Sequence, residues 1–195
     1  MKDILRLVVA LTLITVGAGF VLSMVESVTR EPIAEQRRLE MMRALEAVLP
    51  GMEIDPEADS VELVTGTDRK GRDVIRTFYR GRRQQELAGI AFSVVAPDGY
   101  SGNIAIMVGI DPEGSVAGIE ILSHAETPGL GDKITHESFK GQFKQKSLDN
   151  AEWRVKKDGG EFDQITGATI SPRAVVKAVK SGLEFFREHR QEIVE

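Results

Sequence analysis

From Ile4 to Met24 the chain is almost wholly apolar, with Arg6 its one charge, running Ile-Leu-Arg-Leu-Val-Val-Ala-Leu-Thr-Leu-Ile-Thr-Val-Gly-Ala-Gly-Phe-Val-Leu-Ser-Met. A helix rising about 1.5 Å per residue needs roughly 20 residues to cross a hydrocarbon layer about 30 Å thick, so this run suffices for one crossing. Arg6 falls in the first turn, where its stem can carry the guanidinium out to the headgroups. A cleaved leader would use Lys2 and Arg6 as its basic region. However, the stretch Gly19 to Glu26 has no Ala-x-Ala site, and the apolar run is long for a leader core. The expectation is an uncleaved single-span anchor over residues 1–28. Lys2 and Arg6 favour a cytoplasmic N-terminus, while Arg30, Arg37 and Arg38 follow the span closely. With so short an N-terminal stub, the reading adopted is N-terminus in and the rest of the chain outside the cytoplasm.

A chain of 195 residues leaves enough length for one ordinary domain beyond such an anchor. The net charge of -5 speaks against nucleic acid as a partner, since phosphate backbones are held by clustered Lys and Arg. Cysteine is absent, which excludes disulfides, zinc–thiolate sites, iron–sulfur ligation and thiol catalysis by this chain. His124, His136 and His189 are widely spaced, with no HExxH, so no protein metal site is expected.

After Pro32, residues Ile33 to Leu49 carry apolar Ile33, Met41, Leu45 and Val48 near a helical period, stopped by Pro50-Gly51. They predict an amphipathic helix within a connecting segment over residues 29–52. Residues Glu53 to Asp59 are acidic and irregular. β-rich runs follow at Val61 to Val64, Ile75 to Tyr79, Leu87 to Val95, Gly102 to Ile110 and Val116 to Leu122. Asp111-Pro112-Glu113-Gly114 is strong turn chemistry and joins the last two as a hairpin. His136 to Leu148 predicts a helix, Trp153 to Lys157 a strand, and Ser171 to Glu192 a helix. In that last helix Val175, Val176, Val179, Leu183 and Phe186 make one apolar stripe. Strands in the middle with helices at both ends imply an α+β fold, with an antiparallel sheet and flanking helices over residues 53–195. No GxGxxG and no phosphate-binding P-loop motif occurs.

Chemistry concentrates in Asp163-Gln164-Ile165-Thr166-Gly167-Ala168-Thr169. Gly167 and Ala168 are small enough for a tight turn and for a bulky group to approach Thr169. Ser171-Pro172 reads as an N-cap and first helical residue, which puts Thr169 just ahead of a helix N-terminus. Free N–H groups and the helix dipole favour an anion such as phosphate there, and Arg173 adds a nearby cation. On local physics alone, a plain polar capping loop accounts for the same residues. Asp163 and Thr166 to Thr169 also resemble the flavinylation signature D-x-x-(S/T)-G-A-(T/S). That signature marks the FMN-binding domain of the G subunit of the Rnf complex and of its relative in the sodium-pumping NADH:quinone reductase. The departure is Pro172, where the family often carries a small or polar residue; the acceptor hydroxyl is unaffected.

A second segment, Ser123-His124-Ala125-Glu126-Thr127-Pro128-Gly129-Leu130-Gly131, resembles the E-T-P-G-L-G loop of the same domain, which lies beside the flavin. Its backbone amides can serve as hydrogen-bond donors and Leu130 as an apolar face for a ring. A weaker likeness is Gly99-Tyr100-Ser101-Gly102; of two roles open to Tyr100, stacking on the flavin and a half-buried place in the core, the second is expected. His124 is expected to order its loop, Trp153 to pack, and Lys144, Lys146, Lys156 and Lys157 to form a solvated face.

The resemblance implies an electron-transfer protein with FMN held as a covalent phosphoester on Thr169, placed there from FAD by a flavin transferase that reads Asp163. It implies cofactor contacts from Thr166, Gly167, Ala168, Glu126, Thr127, Gly129, Leu130 and Gly131. The implied partners are the other members of an ion-translocating ferredoxin:NAD oxidoreductase complex in the bacterial inner membrane, with the domain on the periplasmic side. Three other readings are the FMN-bearing component of the sodium-translocating NADH:quinone reductase, an anchored, non-redox flavin sensor, and an anchored structural protein with no cofactor.

Overall fold

The computed structural model describes residues 1–67 and 71–194, in two compact units, Met1–Met42 and Arg43–Glu195. Helix α1 (Lys2–Val48) supplies all but the first residue of the former. Side chains from Met1 to Glu40 are exposed. The apolar part of α1 reaches a mean hydropathy of 2.3, and among the described residues it is the one helix long and apolar enough to cross a membrane. Thr12 and Thr15 donate their hydroxyls to the carbonyls of Val8 and Leu11, both at 2.8 Å. Such internal pairing satisfies both threonine hydroxyls in an apolar surround. The helix predicted from Ile33 to Leu49 is not a separate element: α1 continues through Pro32. Proline costs an interior helix one backbone hydrogen bond. Here the turns that follow, Ala34-Glu35-Gln36-Arg37-Arg38-Leu39-Glu40, consist of strong helix formers that keep the chain helical beyond the proline.

In the second unit the β-branched runs form strands β1 (Glu53–Ile54), β2 (Ser60–Thr67), β3 (Asp73–Arg83), β4 (Glu86–Ala96), β5 (Ile104–Ile110) and β6 (Val116–Ser123). All pair antiparallel in the order β1-β3-β4-β5-β6, and β2 shares the β3 edge with β1. The Asp111 hairpin forms as expected: the Asp111 carboxylate accepts from the N–H groups of Glu113 and Ser115. The β3–β4 hairpin turns on Gln84 and Gln85, both at positive φ (53° and 70°), a turn for which the sequence carries no Gly or Asn signal.

Both faces of β4 and β5 are covered, which explains their near-continuous burial. On one face lies helix α3 (Ile170–Glu188; α2 is described below), whose predicted stripe of Val175, Val176, Val179, Leu183 and Phe186 is buried. A Cβ on Gly182 would stand 2.7 Å from both Phe92 Cε2 and Val94 Cγ1, so this helix needs glycine to come so near. The other face carries Gly81, Gly89, Gly109 and Gly118, one on each of four adjacent strands. Val48, Leu49 and Met52 sit over this row; a Cβ on Gly109 would fall 2.5 Å from the Val48 carbonyl oxygen.

Three further elements differ from expectation. Residues 136–148 form only the short helix α2 (Glu137–Lys140) and a single 3-10 turn at Gly141–Phe143. Gln145 takes positive φ (62°), a conformation no helix continues through. The strand expected at Trp153 to Lys157 is reduced to one bridge, Val155 to Phe162, followed by a 3-10 turn. There Trp153, Phe143 and Phe162 pack as tilted rings with centroids 4.8–6.1 Å apart. Gly160 folds the chain back so tightly that a Cβ would overlap the Arg154 carbonyl. The final helix also breaks, at His189, and resumes as α4 (Arg190–Val194).

Asp59 ties the β1–β2 connection to β3 through Arg82 and Arg80. The Arg82 hydrogen bond, aided by the charge of Arg80, holds its carboxyl below the ordinary aspartate range. A depressed folded-state pKa contributes stability that is present above the unfolded value, near 3.8, and lost as pH falls through the folded one. Asp59→Asn is therefore expected to lower stability at neutral pH and to flatten the acid limb of the stability profile below about pH 4. Urea midpoints measured from pH 7 down to pH 3 check this, and parallel profiles for the two proteins would refute it.

Candidate functional site

The two sequence motifs meet at the start of α3. Ile165 to Ala168 make a tight turn, with the Ala168 N–H donating to the Ile165 carbonyl at 2.9 Å and Gly167 at φ +82°. A side chain at that third position would be strained, which accounts for the glycine. The Leu130 side chain packs over this turn: a Cβ on Gly167 would come 3.3 Å from Leu130 Cδ2. The loop that carries Leu130 turns through Gly129 (φ +76°). It is closed by the Leu130 N–H donating to the Thr127 carbonyl at 3.2 Å.

Between these turns lies a cavity of about 300 Å³, lined by Thr127, Leu130 and Gly131 from the first motif and Gly167, Ala168 and Thr169 from the second. Tyr100, Glu126, Ile170 and Ser171 complete it. Leu130, Ile170 and Tyr100 give the lining an exposed apolar rim. Thr169 is half-buried and stands at the N-cap position of α3, yet its hydroxyl caps no backbone amide. It is thus a hydroxyl beside a cavity, at a helix start, that the helix does not use.

Glu126 is 4% exposed and Ser171 1%. The Glu126 carboxylate accepts from the Ser101 N–H at 3.1 Å and the Ser171 hydroxyl at 2.5 Å. His124 orders the same loop, its Nδ1 accepting from the Glu126 N–H at 3.2 Å, as expected of it. The helix begins one residue earlier than predicted, at Ile170, so Ser171 is not its cap. Its hydroxyl is drawn instead to the buried carboxylate, a pairing that no local pattern announces. Pro172, in the first turn, removes an N–H that would otherwise lack an intrahelical partner.

Three candidates lie off the cavity lining: Gly129, Thr166 and Asp163. Asp163 is exposed and pairs with Lys156 at 2.7 Å. Arg173 is not a free cation for an anion at Thr169, because it binds Asp158 bidentately at 2.6 and 2.8 Å. That hydrogen bond keeps the Asp158 carboxyl below its ordinary range and raises Arg173 further. Tyr100, expected in the core, is 68% exposed and stands on the cavity rim. The reason is that its loop, Gly99 to Gly102, is pinned by the Glu126 carboxylate rather than by packing of the ring. Lys144, Lys146 and Lys156 pair with Glu137, Glu161 and Asp163.

The family model described as the FMN-binding domain matches residues 99–184, the stretch that contains every wall of this cavity. The G subunit of the ion-translocating oxidoreductase complex of Aliivibrio fischeri is 41% identical over 189 residues, covering 94% of this chain and 90% of its own. The chain belongs to the family of these G subunits. Those of Vibrio cholerae and Shewanella amazonensis agree, at 41% and 42% identity over 91% and 87% of this chain and 87% and 82% of their own. Among solved structures, NqrC of Shewanella oneidensis has a TM-score of 0.64 at 19% identity, covering 81% of this chain and 98% of its own. The C subunit of the Na(+)-translocating NADH-quinone reductase from Parabacteroides distasonis has 0.61 at 17%, covering 82% and 96%. At such identities the likeness is one of fold. This chain shares its architecture with those proteins, while its sequence match runs to the G subunits.

Residues that sequence reasoning does not assign to the site are Ile170, Ser171 and the Ser101 N–H. Ser171 carries a signal, a serine two residues past Thr169, but local pattern gives its hydroxyl to the helix cap.

Proposed function

We infer that this chain is the FMN-bearing electron-transfer member of an ion-translocating oxidoreductase complex, with the cofactor held as a phosphoester on Thr169 Oγ1. The observation that carries the reading is the position of Thr169: a hydroxyl that caps nothing at the start of α3, on the wall of a cavity closed by the second family motif. The residues present fit the group. Leu130, Ile170 and Tyr100 offer apolar surface to a flat ring, and the first turn of α3 offers N–H groups and the positive end of the helix dipole to a phosphate. The volume of about 300 Å³ lies at the small end of the range for ligand sites, as suits a ring held partly open to solvent.

When bound, FMN supplies one- and two-electron redox chemistry; the chain supplies tether, orientation and surroundings. Attachment forms the Thr169 Oγ1–P bond and breaks the pyrophosphate of FAD, with AMP leaving and the hydroxyl proton released. A flavin transferase catalyses this step, and the exposed Asp163 is available for it to read. The apolar part of α1 anchors the chain in the bacterial inner membrane beside the rest of the complex, and the flavin domain lies on the periplasmic side. A covalent tether there keeps the cofactor from being lost outside the cytoplasm.

The test is intact-mass spectrometry of the full chain from a host with an active flavin transferase. The expected result is a gain of one FMN less one water, localised by fragmentation to the peptide containing Thr169. An unmodified chain from such a host overturns the reading.

A further inference from the structure

Glu126 is a buried carboxylate, while the other acidic side chains among the described residues lie at or near the surface. Two segments distant in sequence converge on it, the loop Gly99 to Gly102 through the Ser101 N–H and α3 through the Ser171 hydroxyl. Its own loop is ordered by the Glu126 backbone N–H, which donates to His124 Nδ1. The convergence is close. A Cβ on Gly131 would stand 2.6 Å from Glu126 Oε2 and 2.8 Å from Ser171 Oγ, and one on Gly99 would stand 2.8 Å from Glu126 Oε1. These three segments are also the ones that wall the cavity, contributing Tyr100, Leu130 and the residues from Thr169 to Ser171. Both carboxylate oxygens are already engaged by protein donors, so neither needs a cofactor to satisfy it.

We propose that Glu126 and Ser171 are positioning residues rather than cofactor ligands. Their buried pair locks the first turn of α3 to the two cavity loops, and so holds Thr169 in the place where it receives and then presents the flavin. The inference rests on the reading of Thr169 as the acceptor. Cutting the tie leaves the acceptor turn held by the Leu130–Gly167 contact and by the body of α3. Loss of fixed geometry of this kind costs a transfer reaction far more than it costs the fold.

The chemistry of the pair yields a sharp test. Glutamine at position 126 can keep both contacts without the charge: its carbonyl accepts from the Ser101 N–H, and its NH₂ donates to a Ser171 hydroxyl that rotates to accept. The full chain, made without transferase, is incubated with purified transferase and FAD, and covalent flavin is followed in time. Glu126→Gln is expected to be flavinylated within about twofold of the parent rate, and its attached flavin to keep the parent midpoint potential. Ser171→Ala and Glu126→Ala are expected to be slowed roughly tenfold to a hundredfold. Their attached flavin should also be more open to iodide quenching, with the circular dichroism of a folded domain retained. Should Glu126→Ala not fold, Ser171→Ala and Glu126→Gln decide alone. The proposal is overturned if Glu126→Gln shifts the potential or loses attachment as fully as the alanine variant, since the charge would then be the working feature. It is equally overturned if folded Ser171→Ala matches the parent in rate and quenching. Failure of the underlying reading looks different: the parent chain itself would take no flavin, or Thr169→Ala would take as much.

Discussion

Thr169→Ala is expected to abolish covalent flavin and to shift the melting temperature by no more than about 2 °C. The two halves of this expected result have separate causes. The hydroxyl is the only atom of the side chain that can accept a phosphoryl group, so its removal leaves no site for the bond. Yet that hydroxyl makes no capping hydrogen bond to α3, and helix caps lose about 1 kcal/mol on truncation only when such a bond exists. Thr169→Ser restores the hydroxyl and is expected to restore attachment. Thr166→Ala, on the exposed side of the same turn, leaves the acceptor in place and is expected to retain covalent flavin. In-gel flavin fluorescence after denaturation reads all three variants. Fluorescence surviving in Thr169→Ala, or vanishing in Thr166→Ala alone, would move the acceptor to the other threonine.

Gly109→Ala is expected to cost about 2–3 kcal/mol, a fall of roughly 5–10 °C in the melting temperature. The new methyl would lie 2.5 Å from the Val48 carbonyl oxygen and 2.9 Å from its carbonyl carbon. These are backbone atoms at the end of α1, not the far end of a side chain that could swing aside. Gly118→Ala, one strand over and paired with Gly109, is the control. Its methyl would make an ordinary contact of 3.4 Å with Val48 Cα, and a change of less than about 1 kcal/mol is expected. Thermal melts of the detergent-solubilised chain compare the two, and equal losses would remove the special role of Gly109. The row of glycines thus has a specific function: it makes room for Val48, Leu49 and Met52 against the sheet.

How far the sequence could be read follows from the range of the interactions involved. The apolar run, the Asp111 hairpin and the valine stripe of α3 were legible because helix and strand periodicities and turn chemistry act over a few neighbouring residues. The helix across Pro32, the collapse of residues 136–148 into short turns and the Gln84-Gln85 hairpin were not. In each, local preference was outweighed: by flanking helix formers at Pro32, by backbone turns with aromatic packing in the 136–148 region, and by strand pairing at the hairpin. The Cys-free composition and the two motifs by themselves determined what kind of chemistry the chain can support and which hydroxyl is its natural focus. Only the tertiary structure decided that the motifs share one cavity, that Arg173 is committed to Asp158, and that Tyr100 stands on the rim. It also decided that Ser171 reaches across to Glu126, because a contact spanning 45 residues has no period or spacing to announce it. Thr169 is named by its neighbours in sequence, and held in place by residues that are its neighbours only in space.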